Sequence, residues 1–127
     1  MITIYTAQMR IDSDNSIDIT IKSANTPIGR ALAPTWEMVN GIKRGQITDD
    51  QYTEKYLNLL RHRYRFPEIK ELFHGVLKTD ITLKCYCPHD AFCHRQIAKD
   101  VLLKIATHIG IQGIDGGEIV HQRRRTH

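Results

Sequence analysis

The chain has 127 residues, 41% hydrophobic and 25% charged, with a formal net charge of +4. That length fits one domain burying roughly 65 to 70% of its unfolded surface without a disulfide, and the composition excludes a disordered chain. No run approaches the roughly eighteen apolar residues of a membrane span, and Met1 to Tyr5 lacks the features of a signal peptide, so a cytoplasmic setting without membrane partners is expected.

Ile2, Ile4 and Thr6 alternate with Thr3, Tyr5 and Ala7, the pattern of a first strand. Asp12 to Ser16 is a turn by composition, and Ile17 to Lys22 alternates again, so a second strand paired with the first is expected. Ser23 to Pro34 carries Asn25, Pro27, Gly29 and Pro34 and reads as a long loop. A short helix over Thr35 to Asn40 ends at Gly41 or Gly45. Thr48 with Gln51 forms a capping-box pattern, opening a helix that places Tyr52, Tyr56, Leu59, Leu60 and Arg63 on one face. Pro67 starts another helix through Phe73.

Ile81 to Cys87 reads as the third strand, stopped by Pro88. Asp90 is the expected N-cap of a helix running to Ile109, with Ala98, Val101, Leu102, Ile105 and Ile109 on the core side and Gly110 as its stop. Gly113 to Gly117 is expected as a turn and Glu118 to His121 as a last short strand. The order predicts a single α/β layered domain over residues 1–122, with a small, at least partly parallel sheet flanked by helices and a basic tail over 123–127.

All three cysteines fall within nine positions, at Cys85, Cys87 and Cys93. Their odd count argues against a secreted disulfide framework and favours reduced thiols. In an open α/β sheet, ligands bind beyond the carboxyl ends of strands, where helix N-termini favour anions. Cys85, Cys93 and His94 are therefore the candidate catalytic groups, with Arg95 as a fork for a phosphate or carboxylate. Against a Cys93 nucleophile stand the nearby Asp90 carboxylate and the position of His94, since helical neighbours point about 100° apart unless the helix starts after them. Tyr5 and Thr6, at the end of the first strand, and Arg30, in the irregular loop, are further candidate ligand contacts. No cofactor motif is present.

Zinc is the rival reading, with Cys85, Cys87, Cys93 and His94 as the ligand set. Its weakness is that alternate residues of a strand lie about 7 Å apart, whereas two zinc thiolates must lie within about 4 Å. The basic clusters Arg61, Arg63, Arg65 and Arg123 to Arg125 suggest a nucleic-acid partner as a second alternative. An anionic small molecule, a nucleotide or nucleoside derivative, is the leading expectation for the cleft.

At Cys85 and Cys93-His94-Arg95 the chain resembles domain-of-unknown-function family 488, small bacterial and phage proteins in which a strand ending in Cys is followed by a Cys-His-Arg helix start. Leu32-Ala33-Pro34, Tyr52 to Leu57 and Val120-His121 are similar to segments of its YeaO-like branch. The chain departs from the family pattern at Cys87, where an acidic residue is common, and at Thr6-Ala7-Gln8-Met9, where the family is Gly-rich. The resemblance implies an α/β fold and no defined activity.

Overall fold

The computed structural model describes residues 1–121; residues 122–127, with the Arg123 to Arg125 run, lie outside the described residues. The elements are β1 (Ile2–Gln8), β2 (Ser16–Asp18), α1 (Pro27–Ala31), α2 (Trp36–Lys43), α3 (Asp49–Tyr64), α4 (Pro67–Gly75), β3 (Ile81–Cys85), α5 (His94–His108) and β4 (Gly113–Ile119). The four strands form one sheet in the order β2-β3-β1-β4, and every neighbouring pair is parallel. The chain is an α/β protein, as the alternation of strands and helices predicts.

Helix α5 packs against β1, β3 and β4, and α3 and α4 pack against α5. The core between them is apolar, with Ile4, Leu83, Phe73, Leu102 and Tyr56 fully buried. Strand β3 is buried at all five positions, as expected of a central strand covered on both faces. Even Lys84 is buried there, its ammonium donating to the Ile11 carbonyl. Among the described residues no helix is long and apolar enough to cross a membrane.

The capping box at α3 forms as predicted, with Gln51 N–H donating to Thr48 Oγ1 at 3.1 Å and Thr48 N–H to Gln51 Oε1 at 2.8 Å. Four expectations are corrected. First, β2 does not pair with β1, because β3 inserts between them. Second, β2 stops at Asp18, whose Oδ1 takes the N–H and hydroxyl of Thr20 at 2.9 and 2.7 Å and turns the chain. Third, Ser23 to Pro34, expected as a loop, contains α1, capped by Thr26 and opened by Pro27.

The fourth correction concerns Gly113 to Gly117, which lie in β4 rather than in a turn. The register slips by one residue opposite Ile4 and Tyr5, so Gly116 is the extra residue of a bulge. A Cβ on Gly116 would lie 2.5 Å from the Tyr5 ring, and Gly117 has φ 75°, so both positions need glycine. The glycines serve close packing inside a strand, which composition alone cannot separate from a turn.

Candidate functional site

The carboxyl ends of β1 and β3 lie side by side, with Gln8 opposite Cys85. Beyond Cys85 the chain turns, Ala91 N–H donating to the Pro88 carbonyl at 3.1 Å. The turn contains Asp90, so Asp90 is not the cap. Cys93 is the N-cap of α5, with extended φ −153° and ψ 151°, and His94 is the first helical residue. The helix therefore starts after Cys93, whose extended backbone lets the adjacent Cys93 and His94 side chains meet. His94 Nδ1 lies 3.5 Å from Cys93 Sγ.

His94 Nε2 lies 2.7 Å from the Ile19 carbonyl, which can only accept, so Nε2 carries the hydrogen and Nδ1 is left with its lone pair toward the thiol. Burial pushes His94 down to about 4, the Ile19 hydrogen bond opposing that fall, so its ring is neutral near pH 7. The Tyr56 ring meets the imidazole edge to face at 5.6 Å and 81°. Tyr56 itself is fixed by donating to the Leu32 carbonyl at 2.5 Å, and burial raises its phenol well above the usual range.

Cys85 and Cys93 were expected as free reduced thiols; the structure instead pairs them as a disulfide and leaves Cys87 free among the described residues. The reason is topological: an eight-residue turn brings the strand end and the helix start to one point. Their Cα atoms are nevertheless 7.9 Å apart, wider than the about 4.4 to 6.8 Å that disulfides normally span. The donor atoms of Cys85, Cys93 and His94 all lie within 4.8 Å of one another, and all three residues are buried. Of the four-residue zinc set, the structure gathers these three, and Cys87 is outside the group.

Arg95 is 0% exposed, and each of its five N–H groups has a partner within the protein. Nε donates to Glu118 Oε1 at 3.0 Å and Nη2 to Glu118 Oε2 at 2.8 Å, a bidentate pair. Nη1 donates to Cys85 Sγ at 2.7 Å and the Cys87 carbonyl at 3.2 Å, and Nη2 also reaches the Pro88 carbonyl at 3.0 Å. No donor is left over for an external anion. Arg95 instead ties the turn to β4 and directs a positive N–H at the Cys85 sulfur.

Thr6 joins this network by donating to Glu118 Oε1 at 2.6 Å. Tyr5 packs its ring on Gly116, and Arg30 is exposed on α1; neither lines the cleft described next. Arg63, read from the sequence as part of a basic cluster, donates to the carbonyls of Ala31 at 2.9 Å and Ala33 at 2.5 Å, closing the end of α1.

Above the buried group lies a cavity of about 340 Å³. Cys85, Cys93 and His94 contribute to its floor, and Trp36, Tyr52, Tyr86 and Phe92 to its walls. Phe92 stands edge-on to Tyr52 at 5.5 Å and 87°. Lys22 and Lys43 also line it. Lys22 Nζ sits 5.5 Å from the Tyr86 ring centroid. Sequence reasoning missed Glu118 and these aromatic walls. The half-exposed Trp36, the chain's one tryptophan, was the available signal; nothing local marks Glu118, which meets Arg95 from 23 residues away.

No curated protein and no solved structure matches the chain. The sequence profile of the family DUF488-N3a, described as the active DUF488-N3 subclade, matches residues 23–106. That span runs from the end of the β2 turn through most of α5 and contains the whole Cys85 to Arg95 segment. The chain belongs to the DUF488-N3a family.

Proposed function

We propose that the cleft binds an anionic small molecule carrying a planar ring, a nucleotide or nucleoside derivative, and presents it to Cys85, Cys93 and His94 for chemistry. The observation that carries this reading is the convergence, on one cavity, of aromatic walls and a buried floor of two cysteine sulfurs and an imidazole. Its volume is in the range of small-molecule sites, about 300 to 1,000 Å³. Rings such as Trp36 and Phe92 offer flat faces for a heteroaromatic ring, and the Lys22 and Lys43 ammonium groups supply the attraction for phosphate. The family's description as an active subclade supports a reaction.

The roles follow from the contacts. Arg95 is a positioning residue: once the Cys85–Cys93 bond is reduced, its N–H on Cys85 Sγ favours the thiolate form, and its hold on the turn fixes the sulfur below the cleft. In the reduced protein His94, neutral with Nδ1 toward Cys93, is arranged to take a proton from the Cys93 thiol. The anion is met by the lysines rather than by Arg95.

Calorimetric titration of the reduced protein with a panel of nucleoside monophosphates and simple sugar phosphates tests this. At least one nucleotide binds more tightly than its sugar phosphate, and W36A weakens that nucleotide by about 1 to 3 kcal/mol, the worth of one stacking contact. Equal, weak responses to every member of the panel, or an unchanged affinity in W36A, overturn the reading.

A further inference from the structure

We infer that Cys85, Cys93 and His94 form a three-ligand site for a thiophilic divalent metal of the zinc class, with a fourth coordination position opening into the aromatic cleft. Three observations carry the inference. The first is the spacing of the cysteine backbones. Two sulfurs bound to one zinc at about 2.3 Å each stand about 3.8 Å apart, some 1.7 Å more than in a disulfide. Added to the usual disulfide Cα separation of about 5.5 to 6 Å, that predicts roughly 7.2 to 7.7 Å. The observed 7.9 Å suits two sulfurs sharing a metal better than two sulfurs sharing a bond.

The second is the orientation of His94. Its Nε2–H is held by the Ile19 carbonyl at 2.7 Å, leaving Nδ1 on the side of the sulfurs. A metal-bound imidazole commonly has its other nitrogen anchored in this way, which fixes both tautomer and ring plane. The third is charge. The Arg95 guanidinium is already balanced by the Glu118 carboxylate, so on reduction two thiolates at Cys85 and Cys93 would find no further full countercharge among their contacts described above. A divalent cation neutralises both, and the Arg95 N–H on Cys85 Sγ becomes a hydrogen bond to a metal thiolate.

Three protein ligands leave a tetrahedral ion one open position, the pattern of catalytic rather than structural zinc, and the set of two cysteines and a histidine suits it. All three residues line the cleft, so the open position faces the space where a ligand enters. With a metal bound, the sulfurs and His94 Nδ1 serve as ligands in place of the thiol and base roles of the metal-free site, and the reacting group would be the water or substrate atom in the fourth position. Only this last step rests on the cleft being the substrate site; the metal site stands or falls separately.

The test uses full-length protein, reduced and stripped with a chelator, then titrated with Co²⁺ as the spectroscopic probe and with Zn²⁺ in competition. One equivalent of cobalt is expected, with thiolate-to-metal absorption in the near ultraviolet, intense tetrahedral bands in the visible, and loss of both when zinc is added. Imidazole, offered as an exogenous ligand, shifts the visible bands because a position is open. C87S leaves the spectrum unchanged, whereas C93S and H94A each weaken cobalt binding at least about a hundredfold. Because a buried substitution can disturb folding, the wild-type stoichiometry and the C87S spectrum decide the matter on their own. Absence of saturable one-to-one binding by protein with titrated free thiols, or loss of the bands in C87S, overturns the inference. A nucleotide panel that fails while cobalt saturates removes the proposed substrate and leaves the metal site intact; nucleotide binding without cobalt does the reverse.

Discussion

Replacing Glu118 by alanine isolates the network that holds the candidate site in place. The change removes both carboxylate contacts to Arg95, at 3.0 and 2.8 Å, and the acceptor of the Thr6 hydroxyl. Hydrogen bonds to charged groups contribute about 1.5 to 3 kcal/mol each, and breaking a buried ion pair costs about 3 to 5 kcal/mol because the surviving charge stays buried. Arg95 is wholly buried while the Glu118 side chain is 17% exposed, so water partly replaces the lost carboxylate and the lower end applies, about 3 kcal/mol. With a urea slope of about 1 to 3 kcal/mol per molar, the unfolding midpoint falls by roughly 1 to 3 M at unchanged slope. The double variant R95M/E118L provides the control. Removing both charges together leaves neither unpaired, so it loses markedly less stability than E118A. A loss under about 1 kcal/mol in E118A, or a double variant as unstable as the sum of the two single variants, refutes the assignment of Arg95 and Glu118 as a coupled buried pair.

Other consequences are open to direct measurement. T48A removes the capping box of α3 and lowers stability by about 1 kcal/mol in urea unfolding, whereas T48S retains most of it. G116A forces a methyl against the Tyr5 ring and costs about 1 to 3 kcal/mol; Y5A in the same chain recovers part of the loss, and an additive result contradicts the contact. His94 gives a pH signature in metal-free, reduced protein. Its folded-state value of about 4 lies below the ordinary 6.5, so the unfolded chain binds more protons between these values. Stability from this group is complete above about pH 6.5 and falls as pH drops toward 4, by about 3 kcal/mol in all. In H94Q that segment of the pH profile flattens, and an unchanged slope refutes the buried neutral imidazole.

The fold was largely legible because its signals are local. Alternating isoleucines at Ile2 and Ile4, the Thr48 and Gln51 pair, Pro67 and the apolar Ile81 to Cys85 run each announce an element within a few residues. Expectation and structure part where one local signal has two physical uses. Glycine supplies either a turn or a close approach, and in β4 it supplies the approach to Tyr5. Asp90 has better capping chemistry than Cys93, yet the turn back to the Pro88 carbonyl takes up Asp90 and Ala91 before the helix can begin. Strand order is not a local property at all, so the insertion of β3 between β1 and β2 left no mark in either strand.

The candidate site shows the same division between local and distant information. That Cys85, Cys93 and His94 meet follows from a strand end and a helix start separated by a short turn, and the sequence displays all of those parts. What Arg95 does depends on how many of its donors are already taken. An arginine in the first turn of a helix looks like an anion fork until Glu118 arrives from β4 and Cys85 Sγ and the turn carbonyls of Cys87 and Pro88 take the remaining N–H groups. Once those are counted, the positive charge lining the cleft is that of Lys22 and Lys43, and an Arg95 N–H is directed inward at a sulfur. The same count that removes Arg95 from ligand binding leaves one of its N–H groups directed at Cys85 Sγ, one of the three donor atoms gathered below the cleft.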